Sequence, residues 1–209
     1  MSDRKTKWKK VFFYTRFERF NHWLQAALVI VLALTGFEMH GAYAVFGFEE
    51  AREIHNFCAW SWLTLFAFDV FWLVTTGEWK QYTPTVKKIM SVARYYLIGI
   101  FKGDPHPVPK SERVKHNPLQ RMTYLSIVSV LIPFQMITGF LYYSYNSWAG
   151  WGLTWSLSTM AVLHTIGAFG FLVFFVVHVY MTTTGHSVFV HIRAMITGYE
   201  EIQDNGNSE

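Results

Sequence analysis

Apolar residues gather in four long runs separated by polar and aromatic stretches, over about residues 23–40, 55–74, 122–141 and 157–181. Each run is close to the roughly 20 residues a helix needs to cross a hydrocarbon core of about 30 Å. The runs are continuous and lack the alternation of inward polar and outward apolar positions that barrel strands require. The pattern therefore predicts an all-α fold, a four-helix transmembrane bundle. Pro133 lies inside the third run and is expected to bend that helix while neighbouring helices satisfy the freed carbonyl. In the 75–121 loop, residues 85–101 mix apolar and basic positions and follow Pro84, which predicts an amphipathic helix on the membrane surface. Residues 103–118 carry four prolines and read as an extended connector. The whole of 1–209 reads as a single integral-membrane domain.

Composition supports the membrane reading. Of the 209 residues, 52% are apolar, 19% aromatic and 15% charged, where a soluble domain carries about 25% charged residues. So few charges cannot coat a water-soluble globule of this size. The single cysteine, Cys58, excludes an internal disulfide, a CxxC zinc knuckle and covalent haem attachment through CxxCH. Nine histidines are left to carry metal chemistry.

Charge placement then orients the chain. Seven Lys/Arg precede the first run (Arg4, Lys5, Lys7, Lys9, Lys10, Arg16, Arg19), nine lie between the second and third, and Arg193 follows the fourth. The two opposite loops hold only Arg52. Seventeen against one predicts cytoplasmic N- and C-termini by the positive-inside rule. On the far side Tyr142, Tyr143, Tyr145, Trp148, Trp151 and Trp155 are expected to form an interfacial belt. The basic start, the first apolar run and Ala42-Tyr43-Ala44 imitate a signal peptide, but the polar leader is long for one. Cleavage is not expected, because it would discard His22.

Ionisable side chains within a membrane are costly and mark a functional site by default. His164 and His178 both lie in the fourth run; helical geometry separates them by about 21 Å and places them within roughly 40° of one face. His22 opens the first run at the depth of His178, and His55 opens the second at the depth of His164. Two histidine pairs, each drawn from two helices, suit bis-imidazole ligation of two haem b groups stacked across the bundle. Gly36, Gly139, Gly167 and Gly170 would let a flat macrocycle approach the backbone. His40 competes for the outer site, yet it lies about 27 Å from His22, roughly one turn too far. Zinc is the rival metal, but two histidines per level leave its usual four-ligand shell incomplete. Taken singly, His22 and His55 also suit an interfacial role. The tripeptides Thr35-Gly36-Phe37 and Thr138-Gly139-Phe140 recur at the outer ends of the first and third runs.

The block His164-x2-Gly167…His178-Val179-Tyr180 resembles the bacterial cytochrome b561-like membrane subunits, as do Arg19-Phe-Asn-His22-Trp23 with Thr35-Gly36, and Glu53-Ile-His55. These subunits include the gamma subunit of respiratory formate dehydrogenase, the cytochrome b of nickel–iron hydrogenases and the thiosulfate reductase cytochrome b. The likeness runs from Arg16 to about Gly198. It implies an inner haem on His22 and His178 and an outer haem on His55 and His164, the pairing that depth alone suggests. It also implies a menaquinone pocket beside the inner haem, for which His116-Asn117-Pro118-Leu119-Gln120 matches the family's motif. Read from the residues, Asn117-Pro118 is equally a helix N-cap followed by proline at the first helical position. Asp69, near the inner end of the second run, is a candidate proton relay to that pocket, or a carboxylate that snorkels to water or pairs with an arginine. His186 and His191 read as surface residues.

The expected function follows from these parts. The chain would pass electrons between the quinone pool of the bacterial inner membrane and an iron–sulfur or multihaem subunit that serves a catalytic subunit on the periplasmic face. Each charge moved across the membrane is worth about 2.3 kcal/mol per 100 mV, so the opposed sites would conserve energy. Nucleic acid has no place in this reading. Two other functions fit less well. A proton-coupled transporter would want broken helices around a midplane site, and a self-contained quinol oxidase would need no partner.

Overall fold

The computed structural model describes residues 8–108, 111 and 116–203. Arg4, Lys5 and Lys7 of the basic leader lie outside the described residues, as do 109–110 and 112–115 of the proline-rich connector. Four helices are long and apolar enough to cross a membrane: Arg16–Met39, Phe48–Thr76, Pro118–Tyr143 and Leu157–Thr182. They are called the first to fourth spans below.

Three spans begin earlier than their apolar runs, for different local reasons. In the first, Thr15 Oγ1 accepts the Glu18 N–H at 3.2 Å while Glu18 Oε2 accepts the Thr15 N–H at 2.8 Å. This reciprocal capping box starts the helix within the polar leader. The third opens on a similar box: Asn117 Oδ1 accepts from Gln120 N at 2.9 Å and Gln120 Oε1 accepts from Asn117 N at 3.0 Å. The second starts directly after Gly47, with Glu49 and Glu50 in its first turn, where acidic side chains favour the helix dipole. Gly77, in a left-handed conformation (φ 75°), ends it. Pro133 follows a π turn at Ile127–Leu131, a wider turn of the kind that absorbs the hydrogen bond a proline cannot make.

The chain groups into two compact units. One comprises His22–Trp79 and Leu125–Val177 and holds most of all four spans. Edge-to-face ring contacts join the helices within it: Phe37 with Phe169 at 5.8 Å, Trp62 with Phe171 at 5.5 Å and Trp60 with Phe140 at 6.4 Å. The buried seam holds Thr35, Cys58, Trp62, Asp69, Ile132, Thr138 and Met160. Phe57, Phe71 and Val173 stand exposed on the outside, as lipid-facing side chains do. At the predicted outer end, Tyr142, Tyr143, Tyr145, Trp151 and Trp155 are exposed as an aromatic belt requires. Trp148 departs from that expectation. It is 3% exposed and donates its indole N–H to Leu141 O at 2.9 Å.

The other unit comprises the described parts of 1–21, 80–124 and 178–209. It contains a two-stranded antiparallel ribbon, β1 (Trp8–Phe12) against β2 (Tyr199–Gln203), in register from Trp8↔Gln203 to Phe12↔Tyr199. The sequence reading expected helices alone; these strands are short, mixed in polarity and distant in the chain, so neither announces itself. A short helix, Val190–Thr197, leads to β2 through Gly198 (φ 89°), where an added Cβ would lie 2.7 Å from the Tyr14 carbonyl oxygen. The expected surface helix occupies 89–102, with a π turn at Tyr95–Gly99. It buries Val92 and leaves Met90, Leu97 and Phe101 exposed.

Candidate functional site

In the span-bearing unit, His55 on the second span and His164 on the fourth come together. Both are half-buried, their ring centres lie 6.3 Å apart and their planes cross at 75°. Two imidazoles that bind one metal from opposite sides, each nitrogen about 2.0 Å from it and roughly 1 Å from its ring centre, have centres about 6 Å apart. The observed separation therefore fits a shared axial site. Tyr142 meets the His164 ring edge-on at 6.4 Å.

The surroundings of the two rings are alike. Thr35 Oγ1 lies 3.0 Å from His55 Nδ1, and Thr138 Oγ1 lies 3.1 Å from His164 Nδ1. Each threonine also donates its hydroxyl hydrogen to the carbonyl four residues earlier, Val31 or Phe134, at 2.8 Å. The adjoining glycines face the same rings. A Cβ on Gly36 would stand 3.4 Å from His55 Cε1, and one on Gly139 would stand 2.9 Å from His164 Cε1. Gln135 Nε2 is 3.2 Å from His164 Nε2. Gly167 is buried beneath that glutamine, with space for no side chain: an added Cβ would lie 2.0 Å from Gln135 Oε1. The repeated Thr-Gly-Phe is visible in the sequence, but nothing there shows what the threonines face, and Gln135 carries no sequence signal.

His22 belongs to the span-bearing unit, where it meets Trp23 edge-on at 5.4 Å. His178 belongs to the other unit, near the end of the fourth span. Both are half-buried. His40 lies one residue past the first span, exposed, with Nε2 3.3 Å from Thr165 Oγ1. Asp69 is 8% exposed, and its Oδ2 accepts from Gln25 Nε2 at 2.7 Å, so it does not snorkel to water. No group of three or more His, Cys, Asp or Glu converges as a metal site among the described residues.

The second unit contains a cleft of about 260 Å³, lined by Tyr95, Tyr96, His106, Asn117, His186 and His191 among others. Asn117 is 6% exposed; besides capping the third span it donates Nδ2–H to Tyr96 Oη at 3.2 Å. His106 Nε2 also lies 3.2 Å from that hydroxyl. Burial above all, reinforced by Tyr95, pushes the Tyr96 phenol up to about 12 although the Asn117 hydrogen bond opposes the shift. His116 is buried, stacked on Tyr82 at 5.4 Å. His186 is exposed, as expected of a surface residue, whereas His191 is half-buried, and both face carboxylates of β2. His186 Nε2 lies 3.2 Å from Glu201 Oε2, and His191 Nδ1 lies 2.9 Å from Glu200 Oε1. Their partners come from a strand that the sequence pattern did not reveal.

Four helices long and apolar enough to span a membrane, with His55 and His164 of separate spans brought together, suit a membrane cytochrome of the b type. The family model described as prokaryotic cytochrome b561 matches residues 13–198, and the chain belongs to that family. It is similar to the protein named "Putative cytochrome YdhU" of Escherichia coli (strain K12). The two are 28% identical over 203 residues, covering 91% of this chain and 75% of that protein. No solved structure matches the chain. The protein is thus a multi-pass bacterial membrane cytochrome of the haem b electron-transfer class.

Proposed function

We propose that this chain is the di-haem b membrane subunit of a respiratory oxidoreductase complex. It links an iron–sulfur or multihaem partner on the periplasmic side, which serves a catalytic subunit, to the quinone pool at the cytoplasmic side. The observation that supports this reading best is the meeting of His55 and His164 from separate spans at a separation suited to one axially ligated metal. Those two hold the outer haem, and His22 and His178 hold the inner one. The whole chain then acts as one di-haem domain. Haem iron, when bound, supplies reversible one-electron transfer.

The protein's own residues supply ligation, close approach and proton handling. Each histidine would offer an Nε2 lone pair, while Gly36 and Gly139 keep side chains away from the His55 and His164 rings and Gly167 makes room for Gln135 beside His164. The Asn117 cleft takes the quinone head group, menaquinone in the best-supported case. Asn117, which lines the cleft, is the amide contact, with Gln120 bonded to it at the start of the third span as the second amide of the motif, and Tyr96 and His106 are polar neighbours. The positive-inside charge pattern, read with the four apolar spans, supports cytoplasmic termini.

The test is reduction by menaquinol in proteoliposomes, followed by visible spectroscopy. Menaquinol is expected to give a b-type reduced spectrum in wild type, with slower reduction in Asn117→Asp, which keeps the capping oxygen but loses the amide donor. A haem-loaded wild type that menaquinol leaves oxidised, while dithionite reduces it, contradicts the quinone link.

A further inference from the structure

We infer that Thr35 and Thr138 are positioning residues that fix the tautomer and orientation of His55 and His164, one threonine for each proposed outer ligand. The inference rests on the ligand reading above and adds to it the groups that make those imidazoles fit to bind.

Thr35 is fully buried, and its Oγ1 donates to Val31 O at 2.8 Å, with Leu32 O at 3.3 Å. Thr138 is 5% exposed and does the same toward Phe134 O at 2.8 Å and Gln135 O at 3.2 Å. A threonine in a helix commonly bonds back to the preceding turn, and its branched side chain has few rotamers, so this hydroxyl hydrogen is committed. What remains toward the neighbouring helix is an oxygen lone pair. It faces His55 Nδ1 at 3.0 Å in one case and His164 Nδ1 at 3.1 Å in the other. Two lone pairs at that distance would repel, so each Nδ1 carries the proton and donates it. The ring's other nitrogen, Nε2, then keeps its lone pair.

A separate contact agrees for His164. Gln135 Nε2 sits 3.2 Å from His164 Nε2, a contact in which the amide donates and Nε2 accepts, and from which Gln135 would withdraw when that lone pair binds a metal. The Nε2 lone pair is the one needed for axial ligation, and a hydrogen bond from Nδ1–H also raises the ring's donor strength.

The device occurs twice. Thr35-Gly36 on the first span serves His55 on the second, and Thr138-Gly139 on the third serves His164 on the fourth, with the glycine against the ring's Cε1 in both. The threonine orients the ring by hydrogen bonding and the glycine leaves room for it. Among the pairs of spans, each thus pairs a helix bearing the threonine with a helix bearing the ligand.

The experiment compares Thr138→Val, Thr138→Ser and wild type in the full chain, purified with haem supplied. Haem content, the outer-haem reduction potential and the resonance Raman signature of axial imidazole are recorded. Valine keeps the branch and volume but removes the acceptor, whereas serine keeps the acceptor. In Thr138→Val the outer haem should be held about 10–100-fold more weakly, the range seen when an outer-shell partner of a metal-binding histidine is removed. Where it stays bound, its potential should rise because the imidazole donates less strongly. Thr138→Ser should restore wild-type behaviour. An outer haem unchanged in content, potential and Raman signature in Thr138→Val overturns the inference. So does a serine variant that behaves like valine, since shape rather than the hydroxyl would then matter. A wild type whose haem content is untouched by His164→Ala overturns the ligand reading beneath it, a distinct failure that the same preparations reveal.

Discussion

Gly139 and His164 face each other so closely that a methyl group on the glycine would stand 2.9 Å from the ring's Cε1. Across the same seam Gly36 leaves 3.4 Å to His55. The two clearances predict unequal responses. Gly139→Ala must displace the His164 ring, and overpacking of this kind costs about 1–3 kcal/mol. It should cut outer-haem content sharply, while Gly36→Ala, near ordinary contact, should retain most of it. Haem per polypeptide, measured by pyridine haemochrome, checks the order; equal retention in both variants would show that neither ring is fixed in place.

The histidine assignment makes its own contrast. His55→Ala should lose one haem and leave the inner one reducible. His40→Ala should keep both, because His40 is exposed beyond the first span and its Nε2 lies against Thr165 Oγ1. Reduced-minus-oxidised spectra of the two variants separate these outcomes. Loss of haem in His40→Ala with retention in His55→Ala would reverse the assignment.

Glu38 organises the loop between the first two spans. Its Oε1 accepts backbone N–H groups from Val45, Phe46 and Gly47 at 2.7, 2.6 and 2.9 Å, and the residue is 6% exposed. Hydrogen bonds to a charged carboxylate are stronger than neutral ones, and three converge on one oxygen here. Glu38→Ala should therefore loosen residues 41–47 and lower thermal stability, and Glu38→Gln should do so less. Limited proteolysis at the loop reads the effect, and unaltered cleavage in Glu38→Ala would contradict it.

Tyr96 gives a pH dependence with a definite sign. Its pKa is raised in the folded protein to about 12, mainly by burial, so folding favours the neutral phenol. The stabilisation is complete below the unfolded value of about 10 and is lost as pH rises through the folded value. Thermal stability should fall between about pH 10 and pH 12, and Tyr96→Phe should flatten that fall. The same change leaves Asn117 Nδ2 without its phenol acceptor, at a cost of about 1–3 kcal/mol at neutral pH. A slope over that pH range identical in both proteins would show that another group governs it.

Much of this architecture was legible in the chain itself, because crossing a bilayer imposes a length and a hydropathy that local sequence cannot hide. The four runs emerge as four spans, and the helix after Pro84 appears at 89–102. Depth along a helix follows from residue number, so the sequence could bring His55 to the level of His164. It could not show that Thr35 and Thr138 point at those rings, since rotation about the helix axis depends on packing against neighbours. The threonines were visible only as a repeated tripeptide. The β1–β2 ribbon was hidden for another reason: its strands lie near opposite ends of the chain, and their pairing is a long-range match that neither strand's own pattern reveals. With the ribbon went the ion pairs of His186 and His191 and the true setting of the cleft.

The central claim is that two haems are each clasped by histidines of two different spans. Counting haem b per polypeptide in the purified, haem-supplied protein tests it most directly. The account predicts two, resolved as separate steps in a redox titration, falling to one in His55→Ala and to none when His164 and His178 are both replaced by alanine. A wild-type preparation holding one haem or none contradicts it.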